Sequence, residues 1–173
     1  MLAACHDRVR RSLALLLRLR EHVALNGADE RAREAAADVL RYFTLAAPAH
    51  HEDEERHVVP ALRALGDERS LSTAQRLLDE HGVIRDAWAA LQPLLEQVAL
   101  GRTPARSEFD TASQRFADLH DGHLLLEESI AFPSAEAYVA GQGAPAIAAV
   151  GAEMAARRMT GATAVRRPRA DFS

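Results

Sequence analysis

Two segments of the sequence repeat one pattern of histidine and glutamate that is suited to binding a metal ion. The segments 50–60 and 123–133 both read His-x-x-x-Glu-Glu-x-x-x-x-Pro, and 73 residues separate each pair of equivalent positions. Residues four apart lie on one face of a helix, about one turn apart, so an imidazole nitrogen and a carboxylate oxygen can meet at one ion. The pattern therefore pairs His50 with Glu54, and His123 with Glu127.

A further histidine precedes each copy of this pattern. His6 lies 44 residues before His50, and His81 lies 42 residues before His123. Each half of the chain thus offers two imidazoles and one carboxylate, a set that suits non-haem iron with positions left for a small ligand. The ligand set contains no thiolate, which favours iron or manganese over structural zinc. Because the histidines share helical stripes with apolar residues, the carboxylates beside them are buried at a cost that a cation would offset.

Two neighbouring histidines remain open as additional ligands. His51 directly follows His50, from which it is rotated by about 100° on a helix. His120 lies three residues before His123, close to the same helical stripe. Either residue is interpreted as a ligand or as a flanking residue of the site.

The other polar residues near the pattern are predicted to play lesser parts. His57 lies two turns beyond His50, about 10 Å along a helix, and is interpreted as a packing or hydrogen-bonding residue. His22 is about 24 Å from His6 along its helix and is predicted to be exposed. Three acidic neighbours are interpreted as solvated side chains or as hydrogen-bond partners of the imidazoles: Asp53, Glu55 and Glu128.

The elements that position these residues are predicted to be helices throughout. Alanine, leucine, arginine and glutamate dominate, and aromatic residues make up only 5 % of the chain. Pro48 should kink or split the second helical stretch, whose N-cap is predicted at Asp29. Short connections favour an all-α, antiparallel up-down four-helix bundle with a short extra C-terminal helix. The predicted helices are 4–25, 29–65, 72–100, 107–131 and 145–159.

Composition sets the remaining limits. The chain of 173 residues suits one domain, predicted over 1–159 and followed by a basic flexible tail over 160–173. A net charge of −4 argues against nucleic acid as a partner, and no apolar run is long enough to span a membrane. The single cysteine, Cys5, excludes an internal disulfide and a cysteine-rich zinc site. With no secretory signal apparent, a cytoplasmic location is expected.

The motifs resemble the hemerythrin-like, or HHE, cation-binding family over about residues 1–155. The resemblance rests on a histidine in the first and third helices and on His-x-x-x-Glu in the second and fourth. It implies a di-iron centre whose ligands are His6, His50, Glu54, His81, His123 and Glu127. One departure is that hemerythrins proper carry a second histidine one turn along the third helix, where this chain has Leu77 and Arg85. The departure counts against stable oxygen carriage.

Three functions follow as alternatives. The first, implied by the resemblance, is a non-enzymatic di-iron protein that binds or senses dioxygen, nitric oxide or a related small ligand. The second is a di-iron oxidoreductase or repair protein that acts on peroxide or nitric oxide. The third is a bundle whose metal is structural and whose function is partner binding. No acid–base pair separate from the proposed ligands is visible, so no catalytic residue is predicted; oligomeric state stays open.

Overall fold

The structure is a computed structural model that describes residues 3–162, with the side chains of residues 5–156. Its described part contains helices and no strands, so the predicted all-α class is confirmed. Three π-helical turns link some of the α-helices into longer rods: Tyr42–Ala46, Glu54–Val58 and Glu127–Ala131. The α-helices are α1 (Ala3–Asn26), α2 (Glu30–Arg41), α3 (Ala47–Asp53), α4 (Val59–Leu65), α5 (Glu68–Ala99), α6 (Arg106–Leu126), α7 (Phe132–Gly141) and α8 (Ala144–Ala162).

Four rods form the predicted antiparallel bundle. They are α1, the run from α2 to α4, α5, and the run from α6 to α7. α5 packs against α2, α4 and α6, while α1 packs against α2 and α6. α8 is the extra C-terminal helix and rests on α3 and α7. The basic tail was predicted over 160–173; residues 160–162 belong to α8, and residues 163–173 lie outside the described residues. Between residues 3 and 162, none of the helices combines the length and apolar character that crossing a membrane requires.

Local signals determine where the rods begin. The Asp29 carboxylate accepts the backbone N–H of Ala32 at 2.9 Å, which confirms the predicted N-cap of α2. Asp67 caps α5 in the same way through the N–H of Ser70, so this helix begins at Glu68, four residues before the predicted start. Gly66 ends the preceding rod with φ of +76°, a conformation that favours glycine because it has no Cβ.

Each π-helical turn precedes a proline, and this changes the predicted ends of the helices. Pro48, Pro60 and Pro133 each lie two residues after such a turn. Proline has no N–H to donate and its ring crowds the carbonyl four residues earlier, and the wider π turn accommodates both effects. The fourth rod therefore continues through Pro133 to Gly141, and the prediction that it ends near Ala131 is wrong. At Pro48 the second rod likewise continues, through the π-helical turn Tyr42–Ala46 into α3, so it is not split in two there.

The core consists of two apolar clusters separated along the bundle by a polar layer. The larger cluster includes Leu16, Leu91 and Phe116, all less than 2 % exposed. The smaller cluster includes Leu62 and Leu77, which are fully buried. On α5 the boundary is visible in the chain itself, because Leu77 belongs to the smaller cluster and Ile84 to the larger one, with His81 between them.

Candidate metal centre

The polar layer contains all six side chains for which metal ligation was predicted. Each of the four rods contributes, and none of the six residues is more than 7 % exposed. Each glutamate begins a π-helical turn, and its carbonyl accepts the N–H five residues later instead of four. The six are His6 from α1, His50 and Glu54 from the second rod, His81 from α5, and His123 and Glu127 from the fourth rod.

The side chains converge in two groups, each compact enough to hold one metal ion. In each group the donor atoms lie within 4.8 Å of one another. Glu54 belongs to both groups, and His51 joins the second, although it was predicted only as an open alternative. The first group is His6, His50, Glu54 and Glu127, and the second is His51, Glu54, His81 and His123.

The two glutamates stand between the groups. Glu54 places Oε1 3.0 Å from His50 Nε2 and Oε2 3.4 Å from His81 Nε2. Glu127 mirrors it, with Oε2 3.1 Å from His6 Nε2 and Oε1 3.3 Å from His123 Nε2. Each carboxylate therefore turns one oxygen toward each group, as a ligand that bridges two ions would.

Unsatisfied buried atoms show that these residues fit a metal. Within the described residues, both oxygens of Glu54 and of Glu127 are buried without a hydrogen-bond partner, and so is Nε2 of His6, His81 and His123. Buried polar atoms are seldom left in this state, because desolvation costs about 1–3 kcal/mol for each. All of these atoms are lone-pair donors that face one another, so a cation would satisfy them together.

Three of the imidazoles are held from behind by carboxylates. Nδ1–H of His6 donates to Glu128 at 2.7 Å, Nδ1–H of His81 to Glu55 at 2.8 Å, and Nδ1–H of His123 to Glu80 at 2.9 Å. Donation from Nδ1 leaves the Nε2 lone pair directed into the layer, and the negative charge of the carboxylate makes that nitrogen a better ligand.

These carboxylates are in turn paired with arginines at the surface. The guanidinium of Arg10 contacts Glu128 at 2.8 Å, that of Arg76 contacts Glu80 at 2.7 Å, and that of Arg85 lies 3.5 Å from Glu55. Arg10 and Arg85 each lie four residues after the histidine that their partner holds, so both belong to the repeat. The resulting chains of arginine, glutamate and histidine restrict the rotation of each ring.

Without a metal, the buried carboxylates perturb one another. Burial raises the pKa of Glu54 well above its usual range, and the facing charge of Glu127 raises it further. Burial also acts to raise the pKa of Glu127, but His123 and His6 outweigh it and lower that pKa. The pair therefore retains a proton on Glu54 that a bound cation would displace.

The pKa values of the buried imidazoles shift in different directions, and burial lowers that of His81 despite its contact with Glu55. Burial lowers the pKa of His6 and of His123, but Glu127 with Glu128 or Glu80 more than offsets it, and both pKa values are raised. Burial and the neighbouring imidazoles, His81 first, lower the pKa of His51 well below 6.5. His51 is therefore neutral at neutral pH, the state in which imidazole binds metal.

The structure separates the remaining histidines from the layer. His120 is 2 % exposed, donates Nδ1–H to the Phe116 carbonyl at 2.9 Å and belongs to neither metal group. Burial lowers its pKa to about 4. His22 pairs with Asp29 at the opposite end of α1, where its side chain is 14 % exposed, less than predicted. His57 lies 3.6 Å from Glu153 of α8, which agrees with the packing alternative of its prediction.

Two features of the site were missed or undervalued from the sequence. The interpretation of Glu55 and Glu128 as hydrogen-bond partners of imidazoles agrees with the structure, but Glu80 was overlooked because it lies outside both copies of the His-x-x-x-Glu-Glu motif. His51 carried a usable signal, since it lies three residues before Glu54, a spacing that also puts two side chains on one helix face.

Comparison with known proteins places the chain in a family. The model of the Hemerythrin HHE cation binding domain matches residues 1–135, which include every residue of the polar layer. A protein from Haemophilus influenzae, itself uncharacterized, is 30 % identical over 131 residues, covering 75 % of this chain and 74 % of that protein. Such domains bind cations, usually iron, in agreement with the His and Glu groups described above. The chain belongs to the hemerythrin HHE cation-binding family.

Proposed function

We propose that this chain is a non-haem di-iron protein that binds or senses dioxygen or a related small ligand such as nitric oxide. The observation that carries the proposal is the buried layer in which each of two carboxylates faces both groups of imidazoles. Two groups that share Glu54 call for two ions close together, and the nitrogen and oxygen donors suit iron.

Each residue of the layer has a distinct part in this proposal. His6 and His50 would hold one ion, and His81 and His123 would hold the other. Glu54 and Glu127, each with one oxygen toward either group, would be shared by both ions. When bound, the two irons supply redox-active centres with coordination positions open to a small ligand.

The surroundings of the layer protect and orient it. Glu128, Glu55 and Glu80 keep three imidazoles in the tautomer that presents Nε2. The apolar clusters on both sides keep water from the layer, and the Phe132 ring lies 5.1 Å from that of His6. An apolar wall of this kind suits a small uncharged ligand better than a large polar substrate.

Anaerobic iron loading followed by controlled exposure to air tests the proposal. Metal analysis should return two irons per chain, and the optical spectrum of the reduced protein should change in air and revert when oxygen is removed. Irreversible oxidation with turnover of peroxide or nitric oxide would instead support the oxidoreductase alternative. A spectrum indifferent to air would support a structural metal, and fewer than two irons would contradict the paired centre.

A further inference from the structure

Two adjacent histidines of α3 belong to different metal groups. The ring of His51 stacks on that of His81, with centroids 4.2 Å apart and planes 12° from parallel. It also lies 5.6 Å from the His123 ring, whereas the ring of its neighbour His50 is farther away, at 6.3 Å. The His50 ring lies 5.2 Å from His6. Residues 50 and 51 therefore diverge, one toward each group.

The helix explains this divergence. His50 precedes Glu54 by four residues and His51 precedes it by three, so the two imidazoles flank the same carboxylate. Glu54 Oε1 faces His50, and Oε2 faces His81, on the side where His51 lies. One turn of helix thus supplies the Glu54 carboxylate together with two imidazoles. His50 lies on the side of one carboxylate oxygen, and His51 lies on the side of the other.

The other half of the repeat has no equivalent of His51. The residue 73 positions later is Leu124, which is 2 % exposed and belongs to the larger apolar cluster. The fourth rod therefore contributes one imidazole and one carboxylate to the layer, whereas the second rod contributes two imidazoles and one carboxylate. The asymmetry arises at this pair of positions.

We propose that His51 is a seventh protein ligand, which makes the two metal positions unequal. This inference rests on the proposed two-ion centre. The position formed with His81 and His123 holds three imidazoles, and the position formed with His6 and His50 holds two. Since both share the carboxylates, the three-imidazole position binds its ion more tightly, and the two-imidazole position keeps more sites for an external ligand.

Titration of the metal-free protein with Co²⁺, followed by visible absorption and calorimetry, tests this inference. The unmodified protein should bind two ions in two resolved steps, because the positions differ. His51→Leu, which copies the residue at position 124, should weaken the tighter step by at least tenfold, since even indirect partners of a metal ligand are worth roughly 10–100-fold in affinity. The cobalt spectrum of that step should also change, because one nitrogen donor is lost.

Two further variants make the result interpretable. His120→Leu removes another buried histidine beside the layer and should leave both steps unchanged. His51→Gln repeats the test with a polar side chain if the leucine variant does not fold, as judged by far-ultraviolet circular dichroism. Unchanged affinities and spectra in a folded His51 variant would overturn the inference and leave the two-ion proposal standing. Fewer than two ions in the unmodified protein would overturn both.

Discussion

The two halves of the bundle have equivalent arrangements of histidine and glutamate, and each half supplies a glutamate that orients a histidine of the other half. Glu128, from the second copy of the motif, holds His6 of the first half, and Glu55, from the first copy, holds His81 of the second half. The two consecutive glutamates of each motif thus have different roles. The first faces the metal groups, and the second orients an imidazole on a different rod. Reciprocal contacts of this kind follow from packing two equivalent helix pairs against each other.

The halves differ at several equivalent positions close to the layer, and three of these differences concern histidines or their partners. His51 corresponds to Leu124, Ala47 corresponds to His120, and Cys5 corresponds to Glu80, which holds His123. The glutamates that face both groups, Glu54 and Glu127, occur in both halves of the repeat. The three pairs that differ change the side chains around these glutamates. The comparison shows that the repeat accounts for the pairing of the two His and Glu groups, and that its imperfections account for their unequal numbers of imidazoles.

The largest effect is expected from the shared carboxylates. Glu54→Ala and Glu127→Ala should each abolish the binding of both ions, since each glutamate faces both groups. Metal content after anaerobic iron loading measures this. Glu52→Ala is the matched control, because Glu52 is exposed and pairs with Arg56. A variant that retains one ion at full occupancy would show that its carboxylate does not bridge.

Loss of an equivalent histidine should have a more local effect. His6→Ala and His81→Ala should each deplete mainly one ion, because each imidazole belongs to one group. Iron analysis of the two variants, side by side, measures how alike the halves are. His22→Ala should retain full metal content, since His22 pairs with Asp29 away from the layer. Equal iron loss in the His22 and His81 variants would contradict the geometry described here.

The metal-free protein should lose stability in acid through His120, which the first half replaces with Ala47. Burial lowers the pKa of His120 to about 4 in the folded state, against an unfolded value of about 6.5. The unfolded chain therefore binds more protons between these values. The contribution of neutral His120 to the free energy of unfolding is complete above pH 6.5. It falls by about 3 kcal/mol as the pH drops to 4.

Urea unfolding of the metal-free protein at pH 7 and pH 5 checks this. His120→Leu should become more stable relative to the unmodified protein by about 2 kcal/mol on going from pH 7 to pH 5. Buried leucine carries no proton, so its own contribution stays constant over this range. A difference between the two proteins that does not vary with pH would mean that His120 is accessible to protons in the folded state.

The smallest effect is expected from the carboxylates that orient the rings. Glu55→Gln and Glu128→Gln keep the side-chain shape but remove the charge behind His81 and His6. Each should weaken iron binding about tenfold at one position, the low end of what such partners contribute. Competition with a chelator measures the affinity. Equal losses of affinity in the two variants would support the equivalence of the halves. Unchanged affinities would show that these hydrogen bonds do not contribute to metal binding.

Much of the fold and of the layer could be predicted from the sequence because the relevant signals are local. The spacing of four residues brings His50 to Glu54 and His123 to Glu127 within a single helix, whatever surrounds it. Asp29 caps α2 through an N–H only three residues away. The fixed offset of the repeat then implied that both halves meet at one layer.

Only the tertiary structure decided which residues meet across different rods. Glu80 reaches His123, 43 residues away, and His51 turns toward His81 and not toward His6, because α5 packs against both the second rod and α6. The helices also continue through Pro60 and Pro133, since packing holds the wider π turns that relieve the clash of the proline ring. A chain encodes spacing along each helix directly, but the contacts between helices depend on rotation and register, which are settled only when the apolar clusters pack.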